Sequence, residues 1–184
     1  GEVHEGTATM DWMAEERERG ITITAAATTC MWNEHFLQII DTPGHVDFTV
    51  EVERSLRVLD SAVVVLDAVA GVQPQTETVL RQANRHSVPL LLFVNKMDRL
   101  GANPDTAIQS VRDRLNLEPV EVQLPVGAGD DFSAVVDLVR MELLRWQGEQ
   151  GRDVIREPVP PELNDKALLA RYSMCARVAE VNEE

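Results

Sequence analysis

Between residues 35 and 117 short apolar runs alternate with longer stretches in which apolar residues recur every three or four positions. Runs of continuous or alternating apolar character mark strands, and a period near 3.6 marks a helix with one buried face. "FLQII" (36–40) reads as a strand ending at Asp41. "SAVVVLDAV" (61–69) and "VPLLLFVN" (88–95) are apolar runs of the kind buried on both faces. Between these two, Thr76, Val79, Leu80 and Ala83 draw one helical stripe. After Asn95, "ANPDTAIQSVRDRL" places Asn103 to cap a helix and Pro104 at its first position, with Ala107, Ile108, Val111 and Leu115 on one face. Strands and helices alternating in this way stack into an α/β fold with a parallel sheet.

Two stretches are less direct. In "VDFTVEVERSLRVL" (46–59), Val46, Phe48, Val50 and Val52 alternate like a strand. Phe48, Val52, Leu56 and Leu59 also form a helical stripe, and Glu53 with Arg57 is a favourable i, i+4 pair, so the stretch is predicted helical. Thr24 to Thr29 read as a strand. Beyond Glu118 the texture changes: "VEVQLPV" (120–126) alternates as a half-exposed strand, "GAGDD" is a turn, and "FSAVVDLVRMELLRW" returns as a second strand region, which predicts an antiparallel unit. "QGEQGRD" followed by "EPVPP" reads as a polar linker, leading to a last helix with Leu163, Ala167, Ala170, Met174, Val178 and Val181 on one side. The pattern sets a domain boundary near residue 118, giving units 1–118 and 119–184.

Charge narrows the possible partners. Acidic residues outnumber basic ones 31 to 17, for a net charge of −14, so the surface repels phosphate backbones and anionic membranes. Neither a membrane partner nor sequence-specific DNA binding is expected. No charged-then-apolar leader and no run near the ~20 apolar residues of a bilayer span is present. Cys30 and Cys175 are expected to be two core thiols in a reducing compartment rather than a disulfide. No metal-ligand spacing appears among His4, His35, His45, His86 and the cysteines.

In a parallel sheet ligands bind outside the carboxyl ends of the strands. "DTPGH", Asp41 to His45, follows the first strand. A carboxylate there can hold a hydrated magnesium ion while glycine lets the backbone approach a terminal phosphate, although an ordinary strand-to-helix turn with Asp as a cap has the same sequence. "NKMD", Asn95 to Asp98, follows another strand. Guanine presents N1–H and an exocyclic amine side by side, and one carboxylate at Asp98 can accept both, whereas adenine would leave it unpaired. A solvated turn is the alternative reading of that tetrapeptide. In "RGIT", Thr22 stands where a loop hydroxyl could complete a magnesium shell, or where a plain strand begins. Taken together, a loop threonine, Asp-x-x-Gly about 20 residues on and Asn-Lys-x-Asp about 50 residues later form the layout of a GTP-binding fold.

"MDWMAEERERGITI", "DTPGHVDFTVEVERSLRVLDSAVVVLDAVAGVQPQTETV" and "FVNKMDRLGAN" resemble the nucleotide-binding domain of the translation elongation factor G family, from Gly1 to about Trp146 and more weakly beyond. "GVQPQTETV" and "DFTVEVERSLRVLD" favour that family over release factor three and the ribosomal protection proteins. The resemblance implies a P-loop GTPase-type fold with a mostly parallel sheet, helices on both faces and an inserted α+β subdomain from residue 119. It also implies GTP or GDP with Mg2+ as ligands, the large-subunit factor-binding region of the ribosome as partner, and GTP hydrolysis coupled to tRNA–mRNA translocation. Thr22 and Asp41 would then serve magnesium, with Asp41, Thr42, Pro43 and Gly44 at the γ-phosphate. His45 would position the attacking water, and Asn95, Lys96 and Asp98 would select guanine. The implied location is cytoplasmic, with the mitochondrial matrix also open.

The chain departs from that pattern in three places. It has no G-x-x-x-x-G-K-[ST] loop to cradle the β- and γ-phosphates, and the family's second guanine-contacting element, a Ser-Ala loop, is expected to lie beyond residue 184. "ALLARYSMCARVAEVNEE" also differs from the family's helix at that place. The sequence is therefore expected to be an internal piece of an elongation factor G, weak in nucleotide binding by itself. The competing reading is a non-enzymatic module that keeps only ribosome- or protein-contact surfaces.

Overall fold

The computed structural model describes Met13 and residues 25–42, 49–148 and 151–180. These residues form two compact units, the described part of Gly1–Val64 with Gln73–Leu92, and Val65–Val72 with Phe93–Glu184.

The first unit opens with an antiparallel hairpin of β1 (Ala26–Trp32) and β2 (His35–Asp41), in register from Ala26 opposite Asp41 to Trp32 opposite His35. Asn33 and Glu34 join the strands with φ of 47° and 66°. Two successive positive φ values match the right-handed twist of a hairpin, and Asn accepts that conformation more readily than most residues. Thr28 and Thr29 lie in β1 as expected, while Thr24 falls outside the described residues.

Residues 49–56 settle the competition between strand and helix in favour of helix, α1 (Thr49–Leu56). Val52 and Leu56 are buried there with Ala83 and Val88, against which Leu59, Val79 and Leu90 pack. The exposed Glu53–Arg57 pair closes to 3.9 Å. The partner helix, α2 (Pro74–Arg85), buries Leu80 and Ala83 from the predicted stripe.

β3 (Ala62–Asp67) and β4 (Leu90–Asn95) are neighbours in a two-stranded sheet. Ala62 N–H donates to Pro89 O and Ala68 N–H to Asn95 O, each at 2.9 Å, so both chains advance in the same direction with α2 as the crossover. The expectation that these runs are buried on both faces is corrected. Val63, Val65, Leu91 and Phe93 are 61%, 58%, 52% and 54% exposed, while the alternate residues are more enclosed. A helix layer covers one side of a strand, and no described element covers the other.

In the second unit, α3 (Pro104–Leu115) begins where its caps dictate. Asn103 Oδ1 accepts Thr106 N–H at 3.1 Å, Pro104 occupies the first turn, and Asn116 ends the helix in the left-handed region at φ 52°. Ala107 and Val111 are buried, with Ile108 and Leu115 half-buried. Beyond it lies a four-stranded antiparallel sheet in the order β5 (Gln123–Val126), β6 (Ala134–Asp137), β7 (Glu142–Gln147) and β8 (Asp153–Pro158). The predicted antiparallel unit is thus present, with Val120 to Val122 outside the strand and a short 3-10 turn, Gly129–Asp131, at the predicted turn.

The polar-linker reading is corrected, since residues 153–158 pair along the whole of β7. Diagonal ion pairs, Arg156–Glu142 at 2.9 Å and Arg145–Glu157 at 3.1 Å, join the two strands. The last helix, α4 (Pro161–Ala179), buries Ala167 against Leu124, Ala134, Val136, Leu138 and Leu143. Leu163, Ala170 and Met174 pack beside it, but Val178 is 55% exposed and Val181 lies outside the described residues. The apolar stripe therefore stops one turn before the helix does. Cys30 and Cys175 are free, as expected, and exposed rather than in a core.

Candidate functional site

The loop after β4 is shaped by where its backbone bonds go. Asn95 ends the strand, and its carbonyl accepts Ala68 N–H. Lys96 adopts φ 62°, a left-handed conformation that costs a side-chain-bearing residue of order 1–2 kcal/mol. Met97 is buried at 7% exposure, and its carbonyl accepts Gly129 N–H at 2.8 Å. Arg99 N–H returns to Lys96 O at 3.2 Å, and Asn103 N–H reaches Ala68 O at 3.0 Å. With Met97 pinned inward, Asn95 and Asp98 on either side of Lys96 are exposed.

A second turn, after β3, stands beside this loop. Asp67 Oδ1 accepts Val69 N–H at 2.8 Å and Ala70 N–H at 3.2 Å, and its carbonyl accepts Gly71 N–H at 2.8 Å. Gly71 needs to be glycine twice over: its φ is +63°, and a Cβ there would lie 2.6 Å from Ser110 Oγ, which accepts Val72 N–H. The other carboxylate oxygen, Oδ2, accepts the Lys96 ammonium at 2.7 Å. That ammonium, with the Val69 N–H behind it, lowers the Asp67 carboxyl from 3.8 to about 2, against the opposing pull of partial burial.

Asp67 was absent from the residues picked out by sequence. The signal was available: it ends an apolar strand, as Asp41 and Asn95 do, and the rule that ligands gather beyond carboxyl ends of strands points to all three.

Of the residues assigned from sequence, Asn95, Lys96 and Asp98 lie together at the end of β4 and on the loop that follows it. Asp41 is the last residue of β2 and Thr42 follows it, both half-buried in the first unit. Thr22, Pro43, Gly44 and His45 lie outside the described residues.

The loop's donor set suits a guanine base: an outward carboxylate for two adjacent N–H groups, an outward carboxamide for a base edge, and a lysine stem fixed at its far end. Asp41 carries oxygens of the hard kind that magnesium prefers. Among the described residues no cluster of three or more His, Cys, Asp or Glu forms a metal-binding group, and no helix is long and apolar enough to cross a membrane.

The Elongation factor Tu GTP binding domain family matches residues 1–175. The chain belongs to this family. An elongation factor G from Fervidobacterium nodosum is 56% identical over 184 residues, covering 100% of the chain and 27% of that relative. A crystal structure of a protein from Thermus thermophilus superposes with a TM-score of 0.88 at 27% identity, covering 100% of the chain and 27% of the solved one. The chain thus spans about a quarter of the length of each. The likeness to elongation factor G drawn from the motifs holds across the whole sequence, and the fold is that of the elongation factor GTP-binding domains.

Proposed function

We propose that the chain supplies the nucleotide-selecting part of a translational GTPase that couples GTP hydrolysis to movement of tRNA and mRNA on the ribosome. Its working partners are guanine nucleotide, Mg2+ and the large-subunit factor-binding region, and its place is the cytoplasm. Residues 1–118 carry the partial GTP-binding domain, and residues 119–184 an inserted subdomain. Asn95, Lys96 and Asp98 select guanine. Thr22 and Asp41 serve magnesium, Thr42, Pro43 and Gly44 face the γ-phosphate, and His45 orients the attacking water.

The observation that carries this reading is the loop after β4, where Asp98 is held outward by the buried Met97 next to it. Such a carboxylate accepts both N–H groups of guanine. An amide in its place accepts one and donates the other, which matches xanthine, whose C2 carries a carbonyl. Fluorescent GDP and XDP titrated with Mg2+ into the full product of the gene test the assignment. The unaltered protein prefers GDP by at least about 100-fold, and Asp98→Asn reverses the order. Equal affinity of the unaltered protein for the two nucleotides would count against guanine selection by this loop.

A further inference from the structure

We propose that Asp67 is a positioning residue for guanine-nucleotide binding, bracing Lys96 so that its aliphatic stem is fixed beside the base; the inference rests on the nucleotide reading above. Two features of the chain separate this role from an ordinary turn.

First, the same turn occurs again without a lysine. Asp137 ends β6, its Oδ1 accepts Val139 N–H at 2.8 Å and Arg140 N–H at 3.0 Å, and its carbonyl accepts Met141 N–H at 2.8 Å. The spacing repeats that of Asp67, Val69, Ala70 and Gly71. The cation beside it is Arg140 of the same turn, at 4.0 Å. A strand-ending aspartate therefore completes this turn by itself, and the Lys96 contact is an addition to it. Asp67 uses one oxygen for the turn and commits the other to a residue 29 positions away.

Second, Lys96 sits in a strained conformation between the exposed Asn95 and Asp98. A flexible ammonium in water carries many rotamers, and fixing them at the moment of binding weakens association. Asp67 fixes Lys96 beforehand: the contact is short at 2.7 Å, and the carboxylate is mostly shielded, at 19% exposure against 41% for the lysine. A charge-assisted bond in that setting orients more firmly than a surface pair. Asp67 does not itself reach the base; it acts through Lys96, while discrimination between bases stays with Asp98.

The test is a double-mutant cycle on nucleotide affinity in the full gene product, read by fluorescent GDP and IDP, with Asp67→Asn, Lys96→Met and the pair combined. Asp67→Asn keeps an acceptor for the turn and removes the charge, and is expected to weaken GDP and IDP equally, about tenfold, leaving their ratio unchanged. In the Lys96→Met background the same change has less than about a twofold effect. Asp137→Asn, which alters the matching turn, leaves affinity at the unaltered level. Full additivity of Asp67→Asn with Lys96→Met, an Asp67→Asn affinity within twofold of the unaltered protein, or an equal loss in Asp137→Asn overturns the positioning role while guanine selection by Asp98 stands. Should Asp67→Asn fail to fold, Lys96→Met alone breaks the brace from its other end, and unchanged GDP affinity in that variant also overturns it. Absence of guanine preference in the unaltered protein removes the functional reading and this inference together.

Discussion

Asp67 and Lys96 hold charges 2.7 Å apart at the ends of two adjacent strands, and that contact gives the pair a measurable acid limit. The folded chain keeps the Asp67 carboxyl at about 2 rather than 3.8. A depressed value means that the folded form stays ionised where the unfolded form takes up a proton. The stabilisation is fully present above about pH 4 and is lost as the pH falls towards about 2. Carboxyl NMR titration should show Asp67 with a midpoint about two pH units below an ordinary aspartate, rising towards the ordinary range in Lys96→Met. An unmoved midpoint in that variant would assign the shift to the turn amides instead. Asp98 and Asp67 differ in how they could be found. Asp98 belongs to a tetrapeptide whose chemistry is complete in sequence, whereas Asp67 acquires its role from a lysine far along the chain, which only pairing of the strands brings near.

The start of α3 is the most legible boundary, because the groups that fix it are local. Asn103, Pro104 and the Ala107–Val111 face predicted α3, and the Asn103 side chain accepts the Thr106 amide. Asn103→Ala is expected to lower unfolding free energy by about 1 kcal/mol, measured by urea denaturation, with Asn103→Asp near neutral. A loss under a few tenths would show that the cap is replaced by water. β8 was hidden for the converse reason. Its stabilising side chains are Arg156 and Glu157, which pair diagonally with Glu142 and Arg145 on β7. Charged residues that stabilise a strand across the ladder look the same in sequence as charged residues in a linker. The helical stripe of α4 was overextended because periodicity records which residues share a face and not how far the facing sheet reaches.

The buried cluster beneath α4 is drawn entirely from residues 124–167, and the side chains that pack against it from 126–174. A core closed within one stretch of chain can form without the rest. Residues 119–180 expressed by themselves are therefore expected to unfold in one cooperative thermal transition with dispersed amide resonances, although at that size stability is modest. A non-cooperative melt would show that the stretch depends on the chain before it. Within the same piece, Leu143→Ala removes a side chain 1% exposed and should cost about 2–5 kcal/mol. The outward Val63, Val65, Leu91 and Phe93 contrast with this core. Their composition is that of a two-sided interior strand, while their burial is that of a strand covered on one side among the described residues.

By itself the sequence determined the helices and the N-cap of α3, the strand ends at Asp41 and Asn95, the antiparallel texture after residue 118, and an Asn-Lys-x-Asp motif with elongation factor likeness. These depend on neighbours within a few residues, or on motifs whose donor geometry is carried by side-chain type alone. Tertiary structure decided which faces of β3 and β4 are covered, that residues 153–158 form a strand, and that Asp67 meets Lys96. Each of those depends on which distant segment lies alongside, and hydrogen bonds and charge pairs across a ladder are set by register rather than by order along the chain.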